Sequence, residues 1–221
     1  CVYIWKNDNK LAILSLHVDD ILLARNCSDM IMKTKIFFAS RFEMKDMGAT
    51  YVLGIRISRD RNSKLLYLDQ EKYLDKVLKR FNMDNWNSLS TPVCKGQNLS
   101  KSMSPHTKSD IEEMKNVPYA QVVGSLMYAM TGTRPDICHA VGLISRFQSN
   151  PGKEHWQEVK RIFRYLKGTK SLKLCFGLCD LNIKGYIDAD FAWDVNDRKS
   201  TRGHVFLFGE TIVSWLSNKQ S

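Results

Sequence analysis

The stretch "LSLHVDDILLARN", residues 14–26, places two adjacent carboxylates, Asp19 and Asp20, inside an apolar surround. Carboxylate oxygens are hard ligands, suited to a divalent cation such as magnesium when both can face it. In a regular strand neighbouring side chains point to opposite faces, so only a turn lets both aim at one ion. Leu11, Ile13, Leu14, Leu16 and Val18 lead in, and Ile21, Leu22, Leu23 and Ala24 lead out. Each run is apolar enough to be a buried strand, which puts the pair at or near a hairpin turn. The dipeptide equally suits a solvated turn, because turns favour Asp. Residues 14–26 alone leave both readings open.

Two further groups of residues can carry chemistry. "GYIDADFAWD", residues 185–194, holds Asp188 and Asp190 and on its own reads as a polar strand end. On a helix over 152–167, Lys160, Arg164 and Lys167 recur at i, i+4, i+7, with Arg161 beside them. They lie opposite the stripe formed by Trp156, Val159, Ile162 and Phe163. Such a row can follow a phosphate backbone without reading sequence, or be a solvated helix face. Arg56, Arg59, Arg61 and Lys64 make a second basic group that can touch a duplex. Tyr73 and Trp156 read as core rather than as stacking platforms.

Composition narrows the partner. The 221 residues carry a net charge of +10 and a pI near 9.3, which favours a polyanion such as nucleic acid. The excess is central: residues 118–170 hold 8 basic and 3 acidic side chains, whereas 1–49 hold 7 and 6 and 171–221 hold 6 and 6. At 43% hydrophobic the chain is not compositionally disordered. Cys1, Cys27, Cys94, Cys138, Cys175 and Cys179 include no C-x-x-C pair and no zinc-ligand spacing with His. They are expected to be reduced and mostly buried. No run approaches the ~18 apolar residues of a membrane span and no signal peptide opens the chain, so an intracellular location without a membrane is expected. The opening inside a strand at Cys1 and the ending "SNKQS" are expected of a fragment.

The elements that must position these residues follow from pattern. A strand and a polar turn at 7–10 precede the Asp-bearing hairpin. Ser28 is a candidate cap for a helix to about Arg41, with Ile31, Ile36, Phe37 and Phe38 on its apolar side. "YVLGIRISRDRNSKLLYLDQ" places two short strands around a basic turn at 59–64. Asp69 is a candidate cap for a helix carrying Tyr73, Leu74, Val77, Leu78 and Phe81. The polar, Ser-rich residues 87–117 read as a linker or long surface loop. Three helical patterns follow, "PYAQVVGSLMYAM", "PDICHAVGLISRFQS" and "PGKEHWQEVKRIFRYLKG". In the third, Asn150 and Pro151 fit cap and first turn, Gly168 fits the stop, and Leu166 extends the core stripe. From Leu172 the pattern changes to strands: "LKLCFG", "IKGYIDAD", "GHVFLFG" and "TIVSWLS". The class is α+β.

In this wider context the chain resembles the reverse transcriptase of Ty1/copia-type retrotransposons of plants. "HVDDILL" (17–23) matches that family's polymerase motif, and the other blocks match in order. These are "FEMKDMG" (42–48), "YVLGIRISRD" (51–60), "LDQEKYLDKVLKRF" (68–81) and "STPV" (90–93). "PYAQVVGSLMYAMTGTRPDICHAVGLISRFQSNPGKEHW" (118–156), "VKRIFRYLKGT" (159–169), "GYIDADFAWDVNDRKSTRGHVFLFG" (185–209) and "SWLSNKQ" (214–220) complete the series.

The resemblance implies a distal polymerase palm over 1–50, a thumb over 51–92, a linker over 93–117, a helical connection over 118–178 and the opening of a ribonuclease H-like mixed sheet over 179–221. It implies RNA-directed DNA polymerisation on two Mg2+ ions, with Asp19 and Asp20 as metal-binding catalytic carboxylates. Asp188 matches the first metal-binding carboxylate of ribonuclease H, and Asp190 is structural. The implied partners are an RNA template, an RNA/DNA duplex, deoxynucleotide triphosphates and the rest of the Pol polyprotein, in a cytoplasmic particle or the nucleus. The implied nucleic-acid contacts are His17, Arg56, Arg59, Arg61, Lys64, Lys160, Arg161, Arg164 and Lys167. His17 stands where the family has Tyr: it can stack or hydrogen-bond, with a shorter reach. Trp193 replaces a small residue, and a bulky ring at a tight turn is expected to disturb it. Each metal set lacks carboxylates the family carries elsewhere, so this chain alone is expected to be inactive. The alternative is a catalytically dead nucleic-acid-binding remnant.

Overall fold

The computed structural model describes residues 1–96, 98–177 and 182–220. Cys179, singled out above, lies outside them. The chain divides into two compact units, Cys1–Ile57 and Ser58–Ser221.

In the first unit, β1 (Val2–Asn7), β2 (Lys10–His17) and β3 (Asp20–Arg25) form an antiparallel sheet in that order. The 12-residue helix α1 (Ser28–Ala39) packs against β3. The Asp-bearing hairpin is present as read, but its strands are not buried. Ala12 is the one buried apolar side chain described in this unit. Apolar residues point to both faces of β2 and β3, and one helix can cover only one of them. Ser28 begins α1 instead of capping it: the cap position is Cys27, with no side-chain hydrogen bond. Ile36 and Phe37, read as the inner side of α1, are 64% and 53% exposed. β4 (Tyr51–Val52) turns through Leu53 and Gly54, at φ of 49° and 77°, into β5 (Ile55–Asp60). Left-handed residues at both loop positions make the tight reversal that pairs Tyr51 with Arg56.

The second unit is built on a helical core. α2 (Glu71–Arg80), α4 (Tyr119–Gly132), α5 (Cys138–Ser145) and α6 (Lys153–Thr169) bury one contiguous cluster. Leu74, Val77 and Leu78 of α2 pack there with Val122 and Val123 of α4, Val141 and Ile144 of α5, and Val159, Phe163 and Leu166 of α6. Helical periodicity therefore identified the inward faces of α2 and α6 correctly. The helix read as thumb shares this core with the helices read as connection. β6 (Leu65–Asp69) pairs with β7 (Leu174–Phe176). A further antiparallel sheet runs in the order β10 (Thr211–Lys219), β9 (Thr201–Phe208), β8 (Ile183–Ala189).

Residues 87–96 and 98–117, read as a linker or long surface loop, carry local order. They include a 3-10 turn, Lys101–Met103, and α3 (Lys108–Met114), which a Thr107/Asp110 capping box starts. Val93, Leu99 and Val117 pack on the helical core, which is why the segment is held. Cap positions also shift. α2 is preceded by Gln70, while Asp69 accepts from the Glu71 amide at 3.3 Å. α6 starts after Gly152, not at Asn150 or Pro151. Gly168 lies inside α6, where a Cβ would sit 2.9 Å from the Ser88 Cβ. It is there for a close chain approach instead of a helix stop.

All five described cysteines are free, but only Cys138 is buried; Cys1 and Cys175 are exposed and Cys27 and Cys94 are half-buried. Strand edges and loops, not the core, hold the other four. Among the described residues no helix is long and apolar enough to cross a membrane.

Candidate active site

β2 and β3 pair in continuous register from Ala12↔Arg25 to His17↔Asp20. A two-residue loop, Val18 and Asp19, closes the ribbon. Asp19 therefore sits in the loop and Asp20 opens β3, as the turn reading requires. His17 and Asp20 are direct cross-strand partners, so their side chains share one face. All four residues of the tip are exposed. The base of the ribbon is fixed by Asn26, whose Oδ1 accepts from the Leu11 amide at 2.9 Å and whose Nδ2 donates to the Asn9 carbonyl at 2.6 Å.

The tip carries a feature that residue types did not reveal. Val18 has φ of 50° and is 81% exposed. A β-branched side chain in the left-handed region is strained, by about 1–3 kcal/mol, and nothing buried compensates here. The neighbouring hairpin solves the same geometry with Asp8 at φ of 48°, a residue type that tolerates it. The strained residue lies directly beside the two carboxylates.

Asp19 and Asp20 fit a magnesium ion in donor chemistry, since that ion is held through one or two carboxylates while keeping water ligands. Among the described residues no group of three or more His, Cys, Asp or Glu is placed to hold a metal. The protein donors gathered at the tip are these two.

Asp188 lies on the edge strand β8, exposed and opposite Gly203 of β9. Asp190 is tied down: its Oδ1 accepts from the amides of Thr201 at 3.0 Å and Trp193 at 3.3 Å. Those bonds form the turn that Trp193 was expected to disturb. Trp193 itself is 59% exposed.

The basic residues divide. Arg56 and Arg59 lie on β5; Arg61 and Lys64 belong to an exposed turn that Asp60 closes through the Asn62 and Ser63 amides. The α6 row does something else. Arg164 Nε donates to the Asn87 carbonyl at 2.7 Å, Lys167 Nζ to the Trp86 carbonyl at 2.8 Å and Arg161 to Thr91 Oγ1 at 2.8 Å. Lys160 lies 5.5 Å from the Trp86 ring and 5.8 Å from the Trp156 ring. This row pins the chain at 86–91 to α6, with all four side chains half-buried.

Two buried polar clusters also escaped the motif reading. Arg134, 1% exposed, binds both oxygens of Asp136 at 2.9 and 2.6 Å and both oxygens of Thr169. Burial raises the Asp136 carboxyl, but Arg134 and the Tyr165 hydroxyl outweigh it and hold the group below its usual range. His155, fully buried, accepts the Gly152 amide at Nδ1 and meets the Ser100 carbonyl at Nε2 while stacking on Phe147. "TRPD" and "GKEH" were the available signals, but pairing partners 35 and 55 positions away are invisible locally.

The family described as reverse transcriptase (RNA-dependent DNA polymerase) matches residues 1–95. The chain is 50% identical over 222 residues to the retrovirus-related Pol polyprotein from transposon TNT 1-94 of Nicotiana tabacum, covering all of this chain and 17% of that protein. It is 33% identical over 221 residues to the Pol polyprotein from transposon RE1 of Arabidopsis thaliana, covering 99% of this chain and 14% of that one. An uncharacterized mitochondrial protein of Arabidopsis thaliana is 32% identical over 213 residues, 94% of this chain and 83% of its own length. The chain thus spans about a sixth of the tobacco and Arabidopsis polyproteins it matches. No solved structure matches. The chain belongs to the reverse transcriptase family of copia-type retrotransposon Pol polyproteins.

Proposed function

We propose that the chain supplies part of the RNA-directed DNA polymerase of such a polyprotein, with Asp19 and Asp20 as carboxylates for two Mg2+ ions. The observation that carries this reading is the exposed carboxylate pair at the hairpin tip, Asp19 in a two-residue loop strained at Val18 and Asp20 opening β3. In this reading residues 1–50 end the palm, 51–92 form the thumb, 93–117 link, 118–178 form the connection and 179–221 open a ribonuclease H region. When bound, the metal ions activate the attacking primer hydroxyl and stabilise the leaving oxygen. Asp19 and Asp20 hold negative charge at the tip, the cross-strand face of His17 borders the primer end, and the rigid β2–β3 ribbon fixes all three. Asp188 contributes a carboxylate for RNA-strand hydrolysis.

RNA template, RNA/DNA duplex, deoxynucleotide triphosphates and the rest of the Pol polyprotein are the partners, inside the cell in a cytoplasmic particle or the nucleus. Arg56, Arg59, Arg61 and Lys64 serve as duplex contacts. For Lys160, Arg161, Arg164 and Lys167 the phosphate role is shared with holding residues 86–91. By itself the chain lacks robust activity, since two carboxylates at the tip form a small metal set.

The test is primer extension on an RNA template by the polyprotein carrying this segment. Asp19→Asn and Asp20→Asn are expected to reduce extension to background, whereas Asp188→Asn removes RNA cleavage and leaves extension. Full extension by Asp19→Asn overturns the assignment. Extension by the 221-residue chain alone, lost in Asp19→Asn, overturns its predicted inactivity. A nucleic-acid-binding remnant, the alternative outcome of this test, binds without divalent ion and weakens with salt.

A further inference from the structure

The connection between β8 and β9, residues 190–200, shows large apolar side chains to solvent although its backbone is firmly held. Phe191 is 96% exposed, Trp193 59% and Val195 43%. Asp190 braces the loop through Thr201 and Trp193, and Ser200 Oγ accepts from the Ala192 amide at 3.1 Å. Asp194, inside the loop, accepts from the amides of Asn196 and Asp197 and is reached by Arg146 at 2.9 Å and Lys219 at 3.4 Å. Asp197 pairs with Lys219 at 2.6 Å.

The loop's three carboxylates are thus engaged by backbone amides, Arg146 and Lys219. Its two cations are not: Arg198 and Lys199 are exposed, and their side chains make no hydrogen bond or ion pair among the described residues. Outward, the loop offers aromatic rings and uncompensated positive charge. An exposed aromatic on a braced loop forfeits little motion when it binds, so preorganised contact is available at low entropic cost.

We infer that residues 190–200 form a contact surface for an unpaired nucleic-acid strand, with Phe191 and Trp193 stacking on bases and Arg198 and Lys199 meeting the flanking phosphates. This rests on the nucleic-acid partner proposed above. Every base has a π face, so two rings hold a strand whatever its sequence, and nearby cations add a salt-dependent backbone term. Trp193, the bulky residue at a small-residue position, becomes a binding group because it is 59% exposed while its amide helps to build the turn.

The experiment measures binding of the 221-residue chain to fluorescent single-stranded RNA, the corresponding duplex and anionic lipid vesicles, across a salt series. Phe191→Ala with Trp193→Ala is expected to weaken single-strand binding by about tenfold or more with the salt slope unchanged. Arg198→Ala with Lys199→Ala is expected to lower that slope by roughly one to two. Phe191→Tyr and Trp193→Phe keep the rings and retain affinity. Independently, single-stranded RNA quenches indole fluorescence of the wild-type chain more than that of Trp193→Phe. Unchanged binding by the alanine pair, equal quenching, or an effect confined to vesicles overturns the inference and leaves the polymerase reading intact. Failure of the wild-type chain to bind any RNA removes the partner on which both rest.

Discussion

Arg146, which caps the C-terminus of α5, and Asp194, 48 positions later, meet at 2.9 Å with the Asp194 side chain 3% exposed. The pair ties the sheet of β8, β9 and β10 to the helical core, since Arg146 also reaches Thr201 Oγ1 at 3.2 Å. Burial would raise the Asp194 carboxyl, yet the Asn196 and Asp197 amides and Lys219 prevail and hold it at about 2. A carboxyl depressed on folding stabilises above its unfolded value and loses that contribution as pH falls through its folded value. Asp194→Ala is expected to cost about 3 kcal/mol at neutral pH by leaving Arg146 uncompensated. Urea denaturation should show the wild-type advantage present at pH 5 and shrinking from pH 4 toward 2.

His155 predicts a second pH dependence at higher pH. Burial pushes its imidazole down, against the pull of the Ser100 carbonyl and Glu154. The unfolded chain therefore protonates first, near the ordinary value of about 6.5, and stability falls as pH drops from there toward the lowered folded value. It is fully present above that window. His155→Ala, which removes the acceptor for Gly152 and the stack on Phe147, is expected to cost about 3 kcal/mol and to flatten this slope. Urea midpoints at pH 8 and 5.5 measure both effects.

Gly152 is fixed by a neighbouring segment. A Cβ there would lie 1.8 Å from the Met103 carbonyl oxygen. Gly152→Ala is expected to destabilise by about 2 kcal/mol by forcing apart the 3-10 turn and the start of α6. Thermal unfolding of the variant, with Gly124→Ala in open space as control, checks this.

Val18→Gly should have the opposite sign. Relieving a β-branched residue at φ of 50° is expected to stabilise the hairpin by about 1 kcal/mol, net of the entropy glycine adds to the unfolded chain. A rise in the unfolding midpoint, or faster amide exchange at the tip if the strain is absent, distinguishes the outcomes.

By itself the sequence determined the features that depend on local pattern. Alternating and clustered apolar residues located the strands of the Asp-bearing hairpin, and a 3.6-residue period identified Leu74, Val77, Leu78, Val159, Ile162 and Phe163 as core. Motif order placed the chain in its family, because long blocks outweigh an ambiguous dipeptide. Only the tertiary structure decided which polar residues are engaged. The α6 row carries a charge pattern suited to phosphate, yet Arg161, Arg164 and Lys167 grip residues 70 to 81 positions away. Gly168 reads as a helix stop until Ser88 is found against it. Trp193 reads as a misfit until its amide proves to close the turn and the residue to be 59% exposed. Periodicity reports the environment a segment makes for itself, whereas ion pairs, close approaches and exposed rings are set by segments far along the chain, whose positions exist only once the core has formed.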